Sequence, residues 1–418
     1  MLATRYGPSH ADHMHVKKDT SRLPASYWRL FLATGIDNVG TGAYVAAVPL
    51  LAVSLSRDPR LVTAISTAAF LPWLLVSLPA GALIDRCERV VLMWRTQLVA
   101  ATIMAVTTTL VASDQISIVV LASLAFGLGT CDVLFGNAAQ AVLPRLVPTA
   151  SLHKANGNQQ AMITAGQQFV GPPVGSSLFA VVPALPFGIN AVSFLISASL
   201  LRRLPKEDTP ESEAPPMRTA ITSGLKWLKH HRLMRTLAVL LGVNSFSGQM
   251  ANAILVLIVT DDLGVTAGGY GLLLAAAAAG SVLGGVVNAH IVHHIGSLPA
   301  LVSGLTLNIL ALAGVALSPS ALVLGCFLAV NGFATTMWNV VTTTLRQQLV
   351  PPEMLGRVTS IYKLLGWGLI PVGTLTGGLS AHSFGIRVPY ALAGLIRTIA
   401  LGVALPALIS TMRAQKVR

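Results

Sequence analysis

Twelve long apolar runs restrict what this chain can fold into more than any other feature. A membrane-spanning helix needs roughly 20 apolar residues, and a spanning segment must satisfy its own backbone hydrogen bonds. The runs occupy residues 27–53, 61–83, 90–111, 116–138, 162–182, 186–201, 233–259, 268–290, 299–317, 321–344, 364–383 and 389–409. We therefore predict an all-α integral membrane protein with twelve transmembrane helices, numbered here in chain order.

The scarcity of charged residues also indicates that lipid surrounds most of the chain. Only 10% of the residues are charged, against roughly 25% in a soluble domain, and the mean hydropathy is +0.70. The polar segments between the runs divide the chain. We expect an N-terminal tail at 1–26, a six-helix half at 27–201, a linker at 202–231, a second six-helix half at 232–410 and a C-terminal tail at 411–418. The first 26 residues lack the apolar core and cleavage site of a signal peptide.

The positions of lysine and arginine predict the orientation. Of the 28 such residues, 24 fall on one side of the membrane if both termini are cytoplasmic, and cytoplasmic loops carry the excess of positive charge. We therefore expect a multi-pass protein with both termini inside, in contact with membrane lipid. The net charge of +13 then reflects topology, and we do not expect nucleic acid as a partner. We expect a monomer.

An internal repeat relates the two sets of helices. GALID at 81–85 corresponds to GGVVN at 284–288, and Leu146-Val147-Pro148 corresponds to Leu349-Val350-Pro351. Both pairs are separated by 203 positions. Parallel repeats related by an axis along the membrane normal are a known transporter architecture. We therefore predict two pseudo-symmetric six-helix halves.

The loop GALIDRCERVVL, residues 81–92, resembles the signature of the major facilitator superfamily between helices 2 and 3. Gly81, Asp85, Arg86 and Arg89 match that pattern, and Glu88 departs from it. Further stretches, among them AVLPRLVPTASLHKANG and QQLVPPEMLGRVTSIYKLLGWG, resemble the bacterial exporter branch that includes enterobactin exporters and macrolide efflux proteins. The resemblance implies the major facilitator fold, a bacterial plasma membrane and export of a small molecule.

Gly81, Asp85, Arg86 and Arg89 are the candidate gating residues. A carboxylate at the membrane boundary can accept hydrogen bonds from a helix N-terminus, whose dipole favours an anion. The resemblance implies that the partner of Asp85 is the start of helix 11, so that the contact would favour the state closed on the inside. The alternative is a loop that only keeps positive charge in the cytoplasm.

Two acidic residues inside the runs are candidates for proton coupling. Asp37 is about ten residues into helix 1, some 15 Å deep at 1.5 Å per residue, and Asp132 lies in helix 4. An ionised carboxylate in the bilayer is costly and is a functional candidate by default. The alternative for each is a hydrogen-bonded structural carboxylate.

Neutral polar side chains concentrate on helices 1, 4, 7 and 10. This distribution predicts that these four helices line the pathway. The rings of Tyr44 and Trp338 would then contact an aromatic or amphipathic ligand, or they would only pack within the bundle. Helices 3, 6, 9 and 12 are poorer in such groups, with Asn308 and Arg397 as exceptions. The sequence assigns Arg397 no role beyond pairing with a neighbouring residue or extending toward the membrane surface. The candidate cavity residues are Asn38, Tyr44, Asn137, Asn244, Gln249, Asn252, Asn331, Thr335, Trp338 and Asn339.

Helix 5 contains GPPVG, with Gly171, Pro172 and Gly175. The motif partly resembles the Gly-Pro signature of helix 5 in proton-coupled drug exporters. Small residues allow helices in a membrane to approach closely. Close packing without any coupling role is the alternative.

The remaining motifs favour transport over catalysis. His290, His293 and His294 have no carboxylate or cysteine nearby in sequence, so we expect no metal site. No Walker-type phosphate loop is present, so ATP is not expected as the energy source, and no set of catalytic residues is recognisable. We expect no cofactor and no enzyme activity, but proton-coupled efflux of an antibiotic, a siderophore-like metabolite or an amphipathic drug. An uptake permease and a transport-inactive sensor or scaffold are the alternatives.

Overall fold

The computed structural model describes residues 23–77, 79–80, 87–148, 151–205 and 217–416. This part of the chain is helical and carries no strand, which confirms the predicted all-α class. It includes nine helices that are long and apolar enough to cross a membrane, two shorter apolar helices at Pro59–Leu75 and Leu185–Leu201, and one interrupted helix after Leu152. The set is consistent with the predicted twelve crossings.

We number the helices along the twelve runs α1 to α12. They are α1 Ala25–Leu55, α2 Pro59–Leu75, α3 Arg89–Ala112, α4 Ile118–Leu146, α5 Leu152–Ile163 continued by Thr164–Val170 and Gly171–Val181, α6 Leu185–Leu201, α7 Arg232–Asp262, α8 Ala267–Ile295, α9 Ser297–Leu317, α10 Ala321–Leu349, α11 Pro352–Gly368 with Ile370–Phe384, and α12 Val388–Lys416. A separate linker helix, Met217–His230, lies between α6 and α7.

Several helices extend beyond the apolar runs that predicted them. Helix α5 begins at Leu152 and not at residue 162, α11 begins at Pro352 and not at residue 364, and α4 continues to Leu146. Hydropathy identifies only the apolar, membrane-embedded part of a helix. The backbone hydrogen bonds of the helix continue into the adjoining polar residues. The linker predicted as a polar connection at 202–231 also contains the linker helix, which packs on the first part of α11. There Arg357 donates from Nη1 to Ser223 Oγ at 3.1 Å.

The two halves have the same internal packing. In the first half α1 packs on α5 and α6, α2 on α4, and α3 on α4 and α6. In the second half α7 packs on α11 and α12, α8 on α10, and α9 on α10 and α12. Between the halves, α2 packs on α11 and α5 packs on α8. Each of these pairs has its counterpart six helices later, as a pseudo-twofold relation requires.

Two glycines show the repeat at atomic detail. Gly129 on α4 and Gly332 on α10 are separated by the same 203 positions. A Cβ atom at Gly129 would overlap the carbonyl oxygen of Ala69 on α2, and one at Gly332 would overlap that of Ala277 on α8. In both halves, therefore, the glycine allows direct contact between the two backbones.

Among the described residues, several contacts join the halves at the end of the bundle that carries Asp58, called the Asp58 end below. Thr67 and Thr374 share a hydrogen bond of 2.8 Å between their hydroxyls. His382 Nδ1 lies 3.5 Å from an Asp58 carboxylate oxygen. Toward the opposite end, Lys363 donates from Nζ to Gln140 Oε1 across the halves at 2.6 Å, and α2 and α11 also contact each other through side chains described below. The structure is therefore closed at the Asp58 end.

Asp58 also begins α2 as its N-cap. Its carboxylate accepts from the Arg60 backbone N–H at 2.9 Å and from the Arg60 guanidinium at 2.8 Å. Hydrogen bonds from the Arg60 side chain are the main reason that the pKa of the Asp58 carboxyl is lowered to about 2. Because the folded-state pKa is lowered, this stabilisation is present above the unfolded pKa of about 4. It is lost as the pH falls through about 2.

We expect Asp58→Ala to lower the free energy of unfolding by about 0.5–2 kcal/mol through loss of the N-cap. Asp58→Asn is the matched control, because asparagine caps a helix about as well as aspartate. Thermal unfolding of the purified protein in detergent at neutral pH measures both variants. Equal destabilisation by the two substitutions would show that the charge pairs, and not the cap, provide the stability.

Candidate functional site

A polar cavity of about 210 Å³ lies inside the C-terminal half. Its wall is formed by α7, α9, α10, α12 and Ile370 of α11. Seven of the predicted cavity residues line it: Asn244, Gln249, Asn252, Asn331, Thr335, Trp338 and Asn339. Thr335, Asn339 and Asn252 are also exposed, so the cavity is open along part of its rim.

Helical spacing explains why α7 and α10 both present amides here. Asn331, Thr335 and Trp338 follow each other at steps of four and three residues and therefore lie on one face of α10. Asn244 and Asn252 are eight residues apart and share a face of α7 in the same way. Between them, Gly248 leaves space for a neighbour, because a Cβ atom there would lie 2.8 Å from Arg397 Nη2.

Two residues from the polar-poor helices complete this wall. Asn308 on α9 donates from Nδ2 to Asn331 Oδ1 at 2.7 Å and to Thr335 Oγ1 at 3.0 Å. Arg397 on α12 donates from Nε to Ser247 Oγ at 2.8 Å and from Nη2 to the Asn244 carbonyl at 2.7 Å. Neither residue was among those predicted to line the cavity. The available signal was their position, since polar and charged residues within a membrane helix usually face the bundle interior.

The acidic residues lie elsewhere, in a cluster inside the N-terminal half. Asp37 on α1 is only 8% exposed, and one of its carboxylate oxygens has no hydrogen-bond partner in the described chain. Gln97 on α3 hydrogen-bonds to Asp37, and Asp132 on α4 is a neighbouring charge. Gln97 also donates to Ser197 Oγ on α6 at 3.1 Å. Helices α1, α3, α4 and α6 thus surround this acidic cluster.

The other candidates on α1 and α4 are not part of the C-terminal cavity. Tyr44 is 7% exposed and packs edge-on against Phe187, with 6.2 Å between ring centroids. Asn38 donates to the carbonyl of Thr34, one turn earlier on its own helix, at 2.6 Å. Asn137 lies on α4 and is partly exposed. The structure therefore separates the predicted pathway residues into two groups, one in each half.

The two groups occupy equivalent places in the repeat. The acidic cluster lies among α1, α3, α4 and α6, and the cavity lies among α7, α9, α10 and α12. Asp132 and Thr335 are 203 positions apart, as are Phe194 and Arg397. One interior therefore carries the acids, and the equivalent interior carries the amides and the guanidinium.

Gly171, Pro172 and Gly175 place α5 directly against α1. A Cβ atom at Gly171 would lie 2.6 Å from Gly42 Cα, and one at Gly175 would overlap the backbone of Ala43. Pro172 and Pro173 have no N–H to continue the α-helical bonds, and the preceding residues Thr164–Val170 form a π-helix. The motif therefore sets both the close approach and the local winding of α5.

We expect Gly175→Ala to destabilise the protein by about 1–3 kcal/mol, the usual cost of overpacking a close contact. Gly157→Ala is the control on the same helix, because nothing lies within 4 Å of a Cβ atom there. Urea unfolding in detergent micelles measures both variants. Similar midpoints for the two would disprove the packing role of Gly175.

The candidate gating residues are only partly described. Gly81, Asp85 and Arg86 lie outside the described residues, and Arg89 is the first residue of α3. Glu88, which departs from the family pattern, is the N-cap of α3. Its carboxylate accepts from the backbone N–H of Val90 at 3.1 Å and of Val91 at 2.7 Å.

A pair of tryptophans lies between the halves and was not predicted from the sequence. Trp73 on α2 and Trp367 on α11 are stacked, with 4.7 Å between ring centroids and 21° between planes. Trp367 is 42% exposed. The two residues are far apart in sequence, so only the packing of α2 on α11 reveals the pair.

Similarity to known proteins extends over nearly the whole chain. The profile of a family described as transmembrane secretion effector matches residues 24–417. Macrolide efflux protein A of Streptococcus pyogenes is 24% identical over 341 residues, which are 79% of this chain and 82% of that protein. The multidrug efflux pump Tap of Mycolicibacterium fortuitum is 24% identical over 363 residues, covering 84% of this chain and 88% of the pump. A crystal structure of a bacterial homologue of the human lysosomal transporter Spinster, inward-facing and unoccupied, shares the fold with a TM-score of 0.70. The identity is 14%, with 93% of this chain and 97% of the other covered.

Proposed function

This chain belongs to the transmembrane secretion effector family of the major facilitator superfamily, and we propose that it exports a small organic molecule by proton-driven alternating access. The observation that carries the proposal is the polar cavity in the C-terminal half, which is lined by amides and an aromatic ring. Two relatives named for macrolide and multidrug efflux favour export of organic compounds.

The proposed cargo is an antibiotic, a siderophore-like metabolite or an amphipathic drug. Sites for drug-sized ligands usually measure about 300–1,000 Å³, and this cavity measures about 210 Å³. It therefore suits one part of such a molecule, with the remainder lying between the two halves. The stacked Trp73 and Trp367 lie at that junction and offer a flat surface to an aromatic cargo.

The proton is assigned to the acidic cluster. An ionised Asp37, 8% exposed and with an unpartnered oxygen, is costly in a medium of low dielectric constant. A proton on the carboxyl removes that cost, and exposure to water on one side of the membrane allows its release. Proton binding at the acidic cluster and cargo binding in the repeat-related cavity would couple the entry of protons to the exit of cargo.

The proposed orientation places both termini in the cytoplasm of a bacterial cell, as the distribution of lysine and arginine predicts. The Asp58 end then faces outward, so the closure described above is on the outer side of the membrane. The exposed leucine, isoleucine and valine side chains of α6 and α12 would face lipid, and a monomer suffices for the transport cycle.

One observation favours uptake of a small acid on the same fold. Arg397 lines the cavity, and buried basic residues are typical of sites that hold one acidic metabolite. Uptake of an acidic metabolite is therefore the second candidate function.

Accumulation of a radiolabelled macrolide, of ethidium and of a radiolabelled aromatic carboxylate in a host that lacks its own pumps tests the proposal. Cells that express this protein are expected to accumulate less of at least one compound than cells with an empty vector. A protonophore should remove the difference. Higher accumulation in the expressing cells would indicate uptake, and a difference that persists with the protonophore would reject proton coupling.

A further inference from the structure

The cavity wall contains a guanidinium group that has no carboxylate partner in the part of the chain that the structure describes. Arg397 is 8% exposed, and the ion pairs found among the described residues all involve Asp58, Asp261 or Asp262 at the Asp58 end. We propose that Arg397 binds an anionic group, a carboxylate or a similar oxyanion, on the part of the cargo that enters the cavity. This inference rests on the proposed transport role of that cavity.

The hydrogen bonds of Arg397 leave most of its donors available. A guanidinium has five N–H groups, of which one on Nε binds Ser247 Oγ and one on Nη2 binds the carbonyl of Asn244. Both acceptors are neutral, so they orient the group without compensating its charge. The remaining N–H groups form the planar fork that matches a carboxylate. The arginine is therefore held in place and still capable of binding an anion.

A second donor in the same wall fits the same ligand. The indole Nε1–H of Trp338 is buried and has no hydrogen-bond partner within the described chain, and indole nitrogen can only donate. Trp338 and Arg397 both line the cavity. An oxyanion offers several lone pairs and can accept from both residues. Asn308 Oδ1, also without a partner in the described residues, is available for an N–H or O–H group beside the acid.

The fold itself does not require this charge. Phe194 lies 203 positions earlier, at the repeat-equivalent place on α6, and is 1% exposed. An apolar side chain therefore fills the same place in the N-terminal half. A buried guanidinium without a counterion is unfavourable, and an incoming anion offsets that cost. The presence of a charged side chain at position 397 is therefore explained by binding of an anionic ligand.

Lipid phosphate is a poor candidate for the anion. Arg397 is nine residues into α12 from Val388, about 14 Å along the axis at 1.5 Å per residue. That depth is close to the bilayer midplane, far from the headgroups. A soluble cargo that carries an acid group can reach the cavity through the space between the halves.

Equilibrium dialysis of the purified full-length protein in lipid nanodiscs tests the inference. The probes are 2-naphthoate and 2-naphthamide, which have nearly the same shape and differ in charge. Wild type should bind the carboxylate about tenfold or more tightly than the amide, because hydrogen bonds to charged groups are the stronger ones. Arg397→Gln should reduce this ratio to about one while the affinity for the amide stays unchanged.

Two further variants separate binding from structure. Arg397→Lys keeps the cation and should retain part of the preference, whereas Ser247→Ala removes only the tether on Nε and should retain most of it. Equal affinities for the two probes in wild type would overturn the inference, as would an unchanged ratio in both Arg397→Gln and Arg397→Lys. If Arg397→Gln does not fold, the wild-type ratio and the Arg397→Lys ratio decide. Because dialysis measures binding alone, a clear preference for naphthoate together with failed export assays would reject the proposed function and not the anion site.

Discussion

Asp37→Asn is expected to reduce proton-driven export to the level of cells without the protein. The substitution keeps the size and hydrogen-bonding shape of the side chain but removes the group that can take up and release a proton. Gln97 can still hydrogen-bond to the amide, so folding should be preserved. The effect is large because, on the proposed mechanism, no proton is bound and the gradient cannot drive the cycle.

Export from inverted membrane vesicles under an imposed pH gradient measures this effect. Asp114→Asn is the matched control, because the same chemical change falls in the loop between α3 and α4. The positive φ of 53° at Asp114 is also tolerated by asparagine. We expect wild-type rates for Asp114→Asn and background rates for Asp37→Asn at equal amounts of protein in the membrane. Wild-type rates for Asp37→Asn would remove Asp37 from the coupling mechanism.

A disulfide between Thr67→Cys and Thr374→Cys is expected to stop transport entirely. The two hydroxyls lie 2.8 Å apart on α2 and α11, so cysteine sulfurs in their place are close enough to form a bond. Alternating access requires the halves to separate at the Asp58 end, and a covalent link between α2 and α11 prevents that separation. Oxidation should therefore abolish export, and a reducing agent should restore it.

The experiment starts from a variant in which Cys87, Cys131 and Cys326 are replaced, since all three are free thiols. Thr67→Cys alone is the first control and should transport under both conditions. Thr67→Cys with Thr376→Cys is the second, because Thr376 is partly exposed on another face of α11 and donates to the carbonyl of Val372 in its own helix. Full transport by the cross-linked Thr67–Thr374 pair would show that the Asp58 end does not open during the cycle.

Much of the architecture was predictable from the sequence because the solvent is lipid. Each spanning segment has to satisfy its backbone within one helix, so the apolar runs predicted α1 to α12 without any knowledge of contacts. The helix ends were less accurate, as the early start of α5 at Leu152 and of α11 at Pro352 shows. The repeat was also visible, and Gly129 and Gly332 show that it describes real packing.

The candidate site was predictable in part. The amides of α7 and α10, such as Asn244 and Asn331, were recognised as cavity residues because polar groups are rare within apolar runs, and both line the cavity. Tyr44 was grouped with them, yet it packs against Phe187 inside the other half. Composition identifies which helix is polar, but the face that a helix presents to its neighbours depends on its rotation in the bundle.

The sequence by itself thus determined the membrane solvent, the helical class and the duplicated halves, because these depend on local hydropathy and on spacing along the chain. Only the tertiary structure decided which polar groups share an interior. It placed Arg397 beside Asn244 and kept Asp37 in the opposite half with Gln97. Arg397 and Asn244 are 153 positions apart, and their contact follows from how α12 packs on α7. Such packing depends on all the neighbouring helices at once, and no short stretch of sequence contains it.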